Sequence, residues 1–382
     1  MKPITLSQPQ RIVFGENSTQ KLHEDFVIAA SNKILILIAE PVLSLMTDAI
    51  EAIKSTGKEV SVMPYTFAGE PTFSQLETLL EKGSEINPDC VVGIGGGTVL
   101  DSSKLLAALI SNPQKLNEVV GINILKSRTK KLICIPTTAG TGSEVSPNAI
   151  LLNEETQAKS GIISPALLPD AAYLDPVLTA GLPPKFTAET GVDALCHCIE
   201  AYTNKFAHPT ADIYALKGIE LIAQNLLKAY QDGKDIDARS GMLLGAMYGG
   251  LVLGPVNTHG VHCLSYGLGG KYHVSHGLAN AILLPSVMRF NLETLPQKHA
   301  DIAIAMGIEP KGTTLETALA GIEFIESLIK QCNIPGSLKD LGIIESDLPE
   351  LAQIAMNTKR LLVNCPRPMT KEDAINIYEN LM

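Results

Sequence analysis

The chain has 382 residues, 45% of them hydrophobic and 18% charged, and a formal net charge of −10. That describes a globular protein long enough for two domains. It excludes a nucleic-acid binder with a basic stripe, because the densest basic cluster, Arg128 to Lys131, reads as a solvated loop. No apolar run approaches the ~20 residues that cross a bilayer, so no membrane partner is expected.

The opening stretch, MKPITLSQPQRIVFG, is broken by Pro3 and Pro9 and does not read as a secretory signal. Seven scattered cysteines without CxxC spacing read as free thiols in a reducing compartment, which predicts a cytoplasmic protein. Residues 12–15 form a short strand ending in a turn. Residues 33–38, KILILI, read as a buried strand, and 41–55 carry an amphipathic helical pattern. Then come a strand at 59–64, a helix at 73–86, a strand at 90–94, a helix at 98–110 and a strand at 131–135. Fully apolar strands alternating with helices predict an α/β domain with a parallel, Rossmann-like sheet covered on both faces.

The junction VVGIGGGTVLDSSK, residues 91–104, runs a buried strand through Gly95, Gly96 and Gly97 into a helix at Thr98. Such a turn lets backbone approach a pyrophosphate at a helix N-terminus, although it is neither GxGxxG nor a P-loop and also serves as a plain turn. Residues 136–147, PTTAGTGSEVSP, follow a strand end, where ligands of open α/β sheets collect, or form a flexible polar loop. Lys159 reads by itself as a surface lysine. Near Leu182-Pro183-Pro184 the pattern changes and helical periods take over, at 211–230, 240–253, 315–331, 348–356 and 371–381. The expected domains are therefore 1–183, α/β, and 184–382, all-α.

Residues 187–205, TAETGVDALCHCIEAYTNK, read as a helix opening near Thr187. Asp193 and His197 are four apart and leave one face of it. A carboxylate and an imidazole there make half a metal site or a simple helix-surface hydrogen bond. Residues 257–280, NTHGVHCLSYGLGGKYHVSHGLAN, carry His259, His262, His273 and His276. Neutral imidazoles suit a borderline metal, and a glycine-rich loop with satisfied histidines is the alternative.

The two stretches together resemble the iron-containing (group III) alcohol dehydrogenases. The family motif TGxDALxHxxEAY is matched at Thr190, Gly191, Asp193, Ala194, Leu195, His197, Glu200, Ala201 and Tyr202. A second, HxxxHPLGxxxxxPHGxxNAxLLP, is matched at His262, Leu268, Gly269, His276, Gly277, Asn280, Ala281, Leu283, Leu284 and Pro285. GGGTxxDxxK resembles the family's GGGSxxDxAK, PTTAGTGSE is matched throughout, and NCPRPMT resembles NPRP with Cys365 inserted. The resemblance runs from Phe14-Gly15 to Thr370.

It implies Asp193, His197, His262 and His276 as metal ligands, with Fe²⁺ favoured and Zn²⁺ the other ion such mixed ligation suits. It implies Gly96, Gly97 and Thr98 at the pyrophosphate of NAD, Asp101 shaping that loop, Thr137 and Thr138 as cofactor contacts, and Lys159 at pyrophosphate or ribose. Glu40 ends a strand where the family often has Asp; an acidic group there holds the ribose hydroxyls and repels a 2′-phosphate, predicting NAD(H) over NADP(H). The expected activity is metal-dependent hydride exchange between nicotinamide and a small alcohol, aldehyde or ketone, by a homodimer. Where the family often has a second histidine followed by proline, this chain has Tyr266 and Gly267, and Ser275 replaces the proline before His276. Tyr266 and His273 become the candidates for orienting substrate or relaying a proton, with packing as the alternative for Tyr266. Dehydroquinate synthase shares the expected architecture, so a metal- and NAD-containing lyase stays open, as does a non-enzymatic relative.

Overall fold

The computed structural model describes residues 3–155 and 158–382. The chain divides into two compact units, Ser7–Gly181 and Leu182–Met382, the second joined, among the described residues, by Pro3 to Leu6.

In the first unit the strands are β1 (Arg11–Phe14), β2 (Lys33–Ala39), β3 (Glu59–Tyr65), β4 (Cys90–Gly95), β5 (Gly121–Ile122), β6 (Lys131–Pro136), β7 (Asn148–Asn153), β8 (Ala158–Ile163) and β9 (Ala171–Leu174). Six form one sheet in the order β1-β9-β6-β4-β2-β3, every pair parallel. Helices α1 (Phe26–Ala29), α2 (Thr47–Ser55), α3 (Phe73–Ile86) and α4 (Gly97–Leu109) cover it.

The apolar strand runs follow from burial on both faces. Ile34, Ile36 and Ile38 of β2 join Val92 and Ile94 of β4 and Ile133 and Ile135 of β6 in one core, with Val27 and Ile28 of α1 and Ile50 and Ile53 of α2. Leu35, Leu37, Val91, Leu132 and Cys134 point the other way, onto Leu79 of α3 and Leu100, Leu106 and Ala107 of α4. The period of two thus feeds two cores rather than one core and solvent. Because β3 lies on one side of β2 and β4 on the other, winding reverses between β2 and β4. The carboxyl ends of those strands are where such sheets take ligands.

Two local expectations are corrected. The run 41–55 is not one helix: a 3-10 stretch, Glu40–Met46, precedes α2. Met46, anchored in the core, sits between them at φ −101°, ψ 0°, outside the α region. The strands β5, β7 and β8 were not foreseen; they form a small second sheet, β7 and β8 antiparallel.

The second unit is helical: α5 (Pro184–Thr203), α6 (Pro209–Gln231), α7 (Ile236–Leu253), α8 (Gly260–Tyr272), α9 (His276–Asn291), α10 (Pro296–Ala305), α11 (Thr314–Gln331), α12 (Leu348–Asn357), α13 (Lys359–Leu362) and α14 (Lys371–Glu379). α5 is buried almost throughout, with α6, α7 and α9 packed around it. It opens at Pro184, a residue suited to the first helical turn, and not at Thr187. Thr187 instead accepts a hydrogen bond from Arg239 Nη1 at 2.8 Å. The glycine-rich stretch, for which a loop was the alternative reading, forms two helices, α8 and α9, joined by three residues. None of the helices among the described residues is long and apolar enough to cross a membrane.

Candidate metal centre and nucleotide cradle

In the first unit, β4 ends at Gly95 and α4 begins at Gly97, with Gly96 as an N-cap that carries no side-chain cap. The first-turn N–H groups of α4 are therefore offered to an anion. A Cβ on Gly97 would lie 2.6 Å from Thr141 Cγ2, and one on Gly96 3.3 Å from Thr138 Cγ2. The threonine-rich loop after β6 thus lies against the glycine turn, and only glycine fits at 97. Thr137 N donates to Gly95 O at 3.0 Å and ties the two together. Gly96, Gly97, Thr98, Thr137 and Thr138 are accordingly brought to the carboxyl ends of the paired strands β4 and β6. Glu40 follows directly on β2, the next strand, and is exposed.

Asp101 lies one turn into α4. Its carboxylate accepts from Ser143 Oγ at 2.5 Å and from Ile150 N at 2.9 Å, and so holds the loop and β7 to α4. Lys104, wholly buried, donates to Asn148 O at 2.7 Å and lies 3.7 Å from Asp101. Burial pushes the Lys104 ammonium down and the Asp101 carboxyl up, and each partly restores the other. Glu144 is buried beside them with Oε1 unpartnered, and burial pushes its carboxyl up to about 7. Lys159 is not a surface lysine: its side chain is 4% exposed and Nζ meets Glu70 Oε1 at 2.5 Å.

In the second unit, Asp193 and His197 on α5, His262 on α8 and His276 at the start of α9 offer ligand atoms that all lie within 4.8 Å of one another. The Nε2 atoms of His197, His262 and His276 are 3.8, 3.7 and 3.7 Å from Asp193 Oδ1. These separations are too long for hydrogen bonds. They approach the ~3.4 Å between two ligands of one tetrahedral ion at ~2.1 Å. The four groups converge on a shared point rather than on each other.

The residues around them fit a cation. Glu200, fully buried on α5, accepts from Val261 N and from His262 Nδ1, both at 2.6 Å. That fixes the proton of His262 on Nδ1 and turns the Nε2 lone pair to Asp193. Asn280 Nδ2 donates to Asp193 Oδ1 at 2.6 Å and lies 3.2 Å from Nε2 of both His262 and His276. Burial pushes the Glu200 carboxyl up, and contact with His259 and the backbone donors offsets this. Among the described residues neither Asp193 nor Glu200 is paired with a lysine or arginine. Buried carboxylates without an ammonium or guanidinium partner call for positive charge from elsewhere.

The helix starts set this geometry. A Cβ on Gly277 would lie 2.5 Å from Glu189 O, so α9 begins in contact with the α5 backbone and His276 reaches Asp193. Ser275 Oγ donates to Glu189 Oε2 at 2.6 Å at that junction. Of the four histidines in the stretch, two are elsewhere. His259 is the buried N-cap of α8, its Nε2 2.9 Å from Thr203 Oγ1. His273 is exposed at the C-cap of α8, at φ 53°. Tyr266, half-buried, accepts from Arg360 Nη2 at 2.6 Å. The thiols of Cys196, Cys198 and Cys263 are buried, and burial raises all three, so they pack as neutral groups. Sequence reasoning assigned no role to Glu200, although it stands three residues after His197, nor to Asn280, four after His276.

The description of iron-containing alcohol dehydrogenases matches residues 9–176, and that of the C-terminal part of the same family matches residues 187–382. The chain belongs to the iron-containing alcohol dehydrogenase family. It is 35% identical to alcohol dehydrogenase 4 of Saccharomyces cerevisiae over 369 residues, 96% of this chain and 95% of the yeast protein. It is 33% identical to 1,3-propanediol dehydrogenase of Citrobacter freundii over 369 residues, again 96% and 95% of the two chains. A solved 1,3-propanediol oxidoreductase superposes with a TM-score of 0.95 at 32% identity, covering all of both chains. This member of the family is an oxidoreductase acting on alcohols and aldehydes, and the lyase and non-enzymatic alternatives fall away.

Two outcomes follow from the packing. Gly277→Ala must move a backbone carbonyl, so thermal unfolding should show a loss of about 1–3 kcal/mol. Glu144 has a raised folded pKa, so the unfolded state ionises first and stability falls as pH rises from about 4.5 to about 7. Glu144→Gln should therefore melt above the parent at pH 8, and that gap should shrink at pH 5.

Proposed function

We propose that this chain is an Fe²⁺-dependent, NAD(H)-linked alcohol dehydrogenase and aldehyde or ketone reductase, with Zn²⁺ as the alternative ion. Asp193, His197, His262 and His276 would hold the metal. The observation that carries this reading is the convergence of those four ligand atoms within 4.8 Å, with Asp193, His197 and His262 buried and no lysine or arginine among the described residues paired with Asp193. When bound, the ion supplies Lewis acidity toward the substrate oxygen, and the nicotinamide gives or takes the hydride.

The protein's own groups prepare that chemistry. Glu200 keeps the proton of His262 on Nδ1, and Asn280 restrains Asp193 Oδ1. The turn Gly96–Gly97–Thr98, with the start of α4, receives the pyrophosphate, and Thr137 and Thr138 line it from above. Asp101 holds that wall in place through Ser143. Glu40, at the end of β2 beside the winding reversal, receives the ribose hydroxyls. Tyr266 stands one turn after His262 on the same face of α8, with Oη held by Arg360, whereas His273 is exposed at the helix end. This favours Tyr266 Oη over His273 for orienting the substrate hydroxyl. The free edge of β1, with exposed Phe14, supports a homodimer through the first unit, and the seven unpaired cysteines support a cytoplasmic setting.

Anaerobic NADH oxidation with small aldehydes should require added Fe²⁺ or Zn²⁺ and fall more than ~100-fold with chelator. Metal-independent turnover would sink the reading. Glu200→Gln presents an N–H to His262 Nδ1 and should weaken metal retention by about 10–100-fold, measured as bound metal against a competing chelator. NADH should be preferred to NADPH, and Glu40→Ser should narrow the preference; a parent enzyme that prefers NADPH would remove Glu40 from this role. Unchanged turnover in Tyr266→Phe would remove Tyr266.

A further inference from the structure

Arg360 differs from the four arginines that are paired or fully satisfied, and from Arg367, which is exposed. Arg11 pairs with Asp25, Arg128 with Asp170 and Arg289 with Glu326, the last two through both carboxylate oxygens. Arg239 is satisfied by Gly233 O, Leu182 O and Thr187 Oγ1, and the exposed Arg367 donates to Phe290 O at 3.0 Å and lies over the Phe290 ring. Arg360, half-buried on α13, has one hydrogen bond, from Nη2 to Tyr266 Oη at 2.6 Å, and no carboxylate pairs with it among the described residues. Its guanidinium carbon lies 5.9 Å from the Tyr266 ring centroid.

The place of this pair gives it a use. Helical side chains lean toward the N-terminus of their helix, so Tyr266 covers the turn that carries His262. Helix α13, which carries Arg360, packs against α8, which carries His262 and Tyr266. Tyr266 therefore holds a cation beside the candidate metal centre. A neutral alcohol has no need of it. A guanidinium offers five N–H donors in a planar fork that matches a carboxylate, and a phenol oxygen takes only one.

We propose that Arg360, braced by Tyr266, receives the anionic group of the substrate, so that this enzyme interconverts a short hydroxy acid and its oxo acid. This rests on the dehydrogenase reading and narrows its substrate class. The reaction balances without another reactant: the carbinol C–H leaves as hydride to NAD⁺ and the hydroxyl proton is released. In reverse, NADH and a proton reduce an aldehyde or ketone that bears a carboxylate.

The test compares aldehydes matched in carbon number, glyoxylate against acetaldehyde and 4-oxobutanoate against butanal, with the metal-loaded enzyme and NADH. The carboxylate member of at least one pair should have the higher kcat/KM by tenfold or more. Arg360→Met should lower that ratio at least tenfold, chiefly through KM, with Arg360→Lys between. If Arg360→Met does not fold, Arg360→Gln is read the same way. Equal kcat/KM within both pairs, or a ratio that Arg360 variants leave unmoved, overturns the proposal while leaving the dehydrogenase intact. No turnover of any of the four counts against the dehydrogenase reading. Anion recognition is then read alone, by calorimetric titration of succinate, which cannot be reduced. Binding at least tenfold weaker in Arg360→Met upholds it, and equal binding overturns it.

Discussion

The helical unit is organised around a carboxylate that cannot be buried alone. Asp193 is 3% exposed, and Glu200, two turns further along the same helix, is 1% exposed. An unpaired buried charge costs several kcal/mol, and no lysine or arginine among the described residues relieves either one. Glu200 is compensated by the N-terminus of α8, through Val261 N and the His262 ring. Asp193 has a single amide donor, from Asn280, and three imidazole nitrogens turned toward it. The two carboxylates thus have different tasks. One positions a helix and a ring, and the other is left under-compensated, as a cation site requires.

This electrostatic demand explains otherwise odd packing. Bringing three helices to one atom needs α8 and α9 to start almost in contact with α5. Glu200 draws in the start of α8. The missing side chain of Gly277 draws in the start of α9, to within a backbone contact of Glu189. The glycines of residues 257–280 look like loop composition because glycine is poor in helices when side chains decide stability. Here packing decides it: a Cβ on Gly267 would meet Leu351 Cδ2 at 3.0 Å. Glycine content is therefore a poor guide to the secondary structure of this stretch.

Legibility elsewhere followed the same division. The strands β2, β4 and β6 were readable because two buried faces leave no polar position, and their windows match to within a residue. β7 and β8 were not, because they are only partly buried and carry Asn, Lys, Ser and Gly among their apolar residues. The glycine turn and the threonine loop were visible as motifs, but not that they touch, since 40 residues separate Gly97 from Thr138. Arg360 gave no signal at all. It belongs to no motif, and only the fold brings it to a tyrosine 94 positions earlier.

The two buried ionic systems are built on opposite principles, and that separates scaffold from site. Around Asp101 and Lys104 every charge has a partner inside the first unit: Ser143, Ile150 N and Asn148 O complete the set. Such a network locks the wall of the cradle and is spent on structure. Glu144 beside it is kept neutral through much of the acidic range by its raised pKa of about 7, so it adds little charge there. Asp193 on α5 and Arg360 on α13 each lack a side-chain partner of fixed opposite charge among the described residues. A site that must bind a cation and an anionic substrate needs both deficits at once. A site for a neutral alcohol needs only the first. On the proposed reading the second deficit gives Tyr266 a task at this position: its phenol oxygen accepts from the Arg360 guanidinium and braces it.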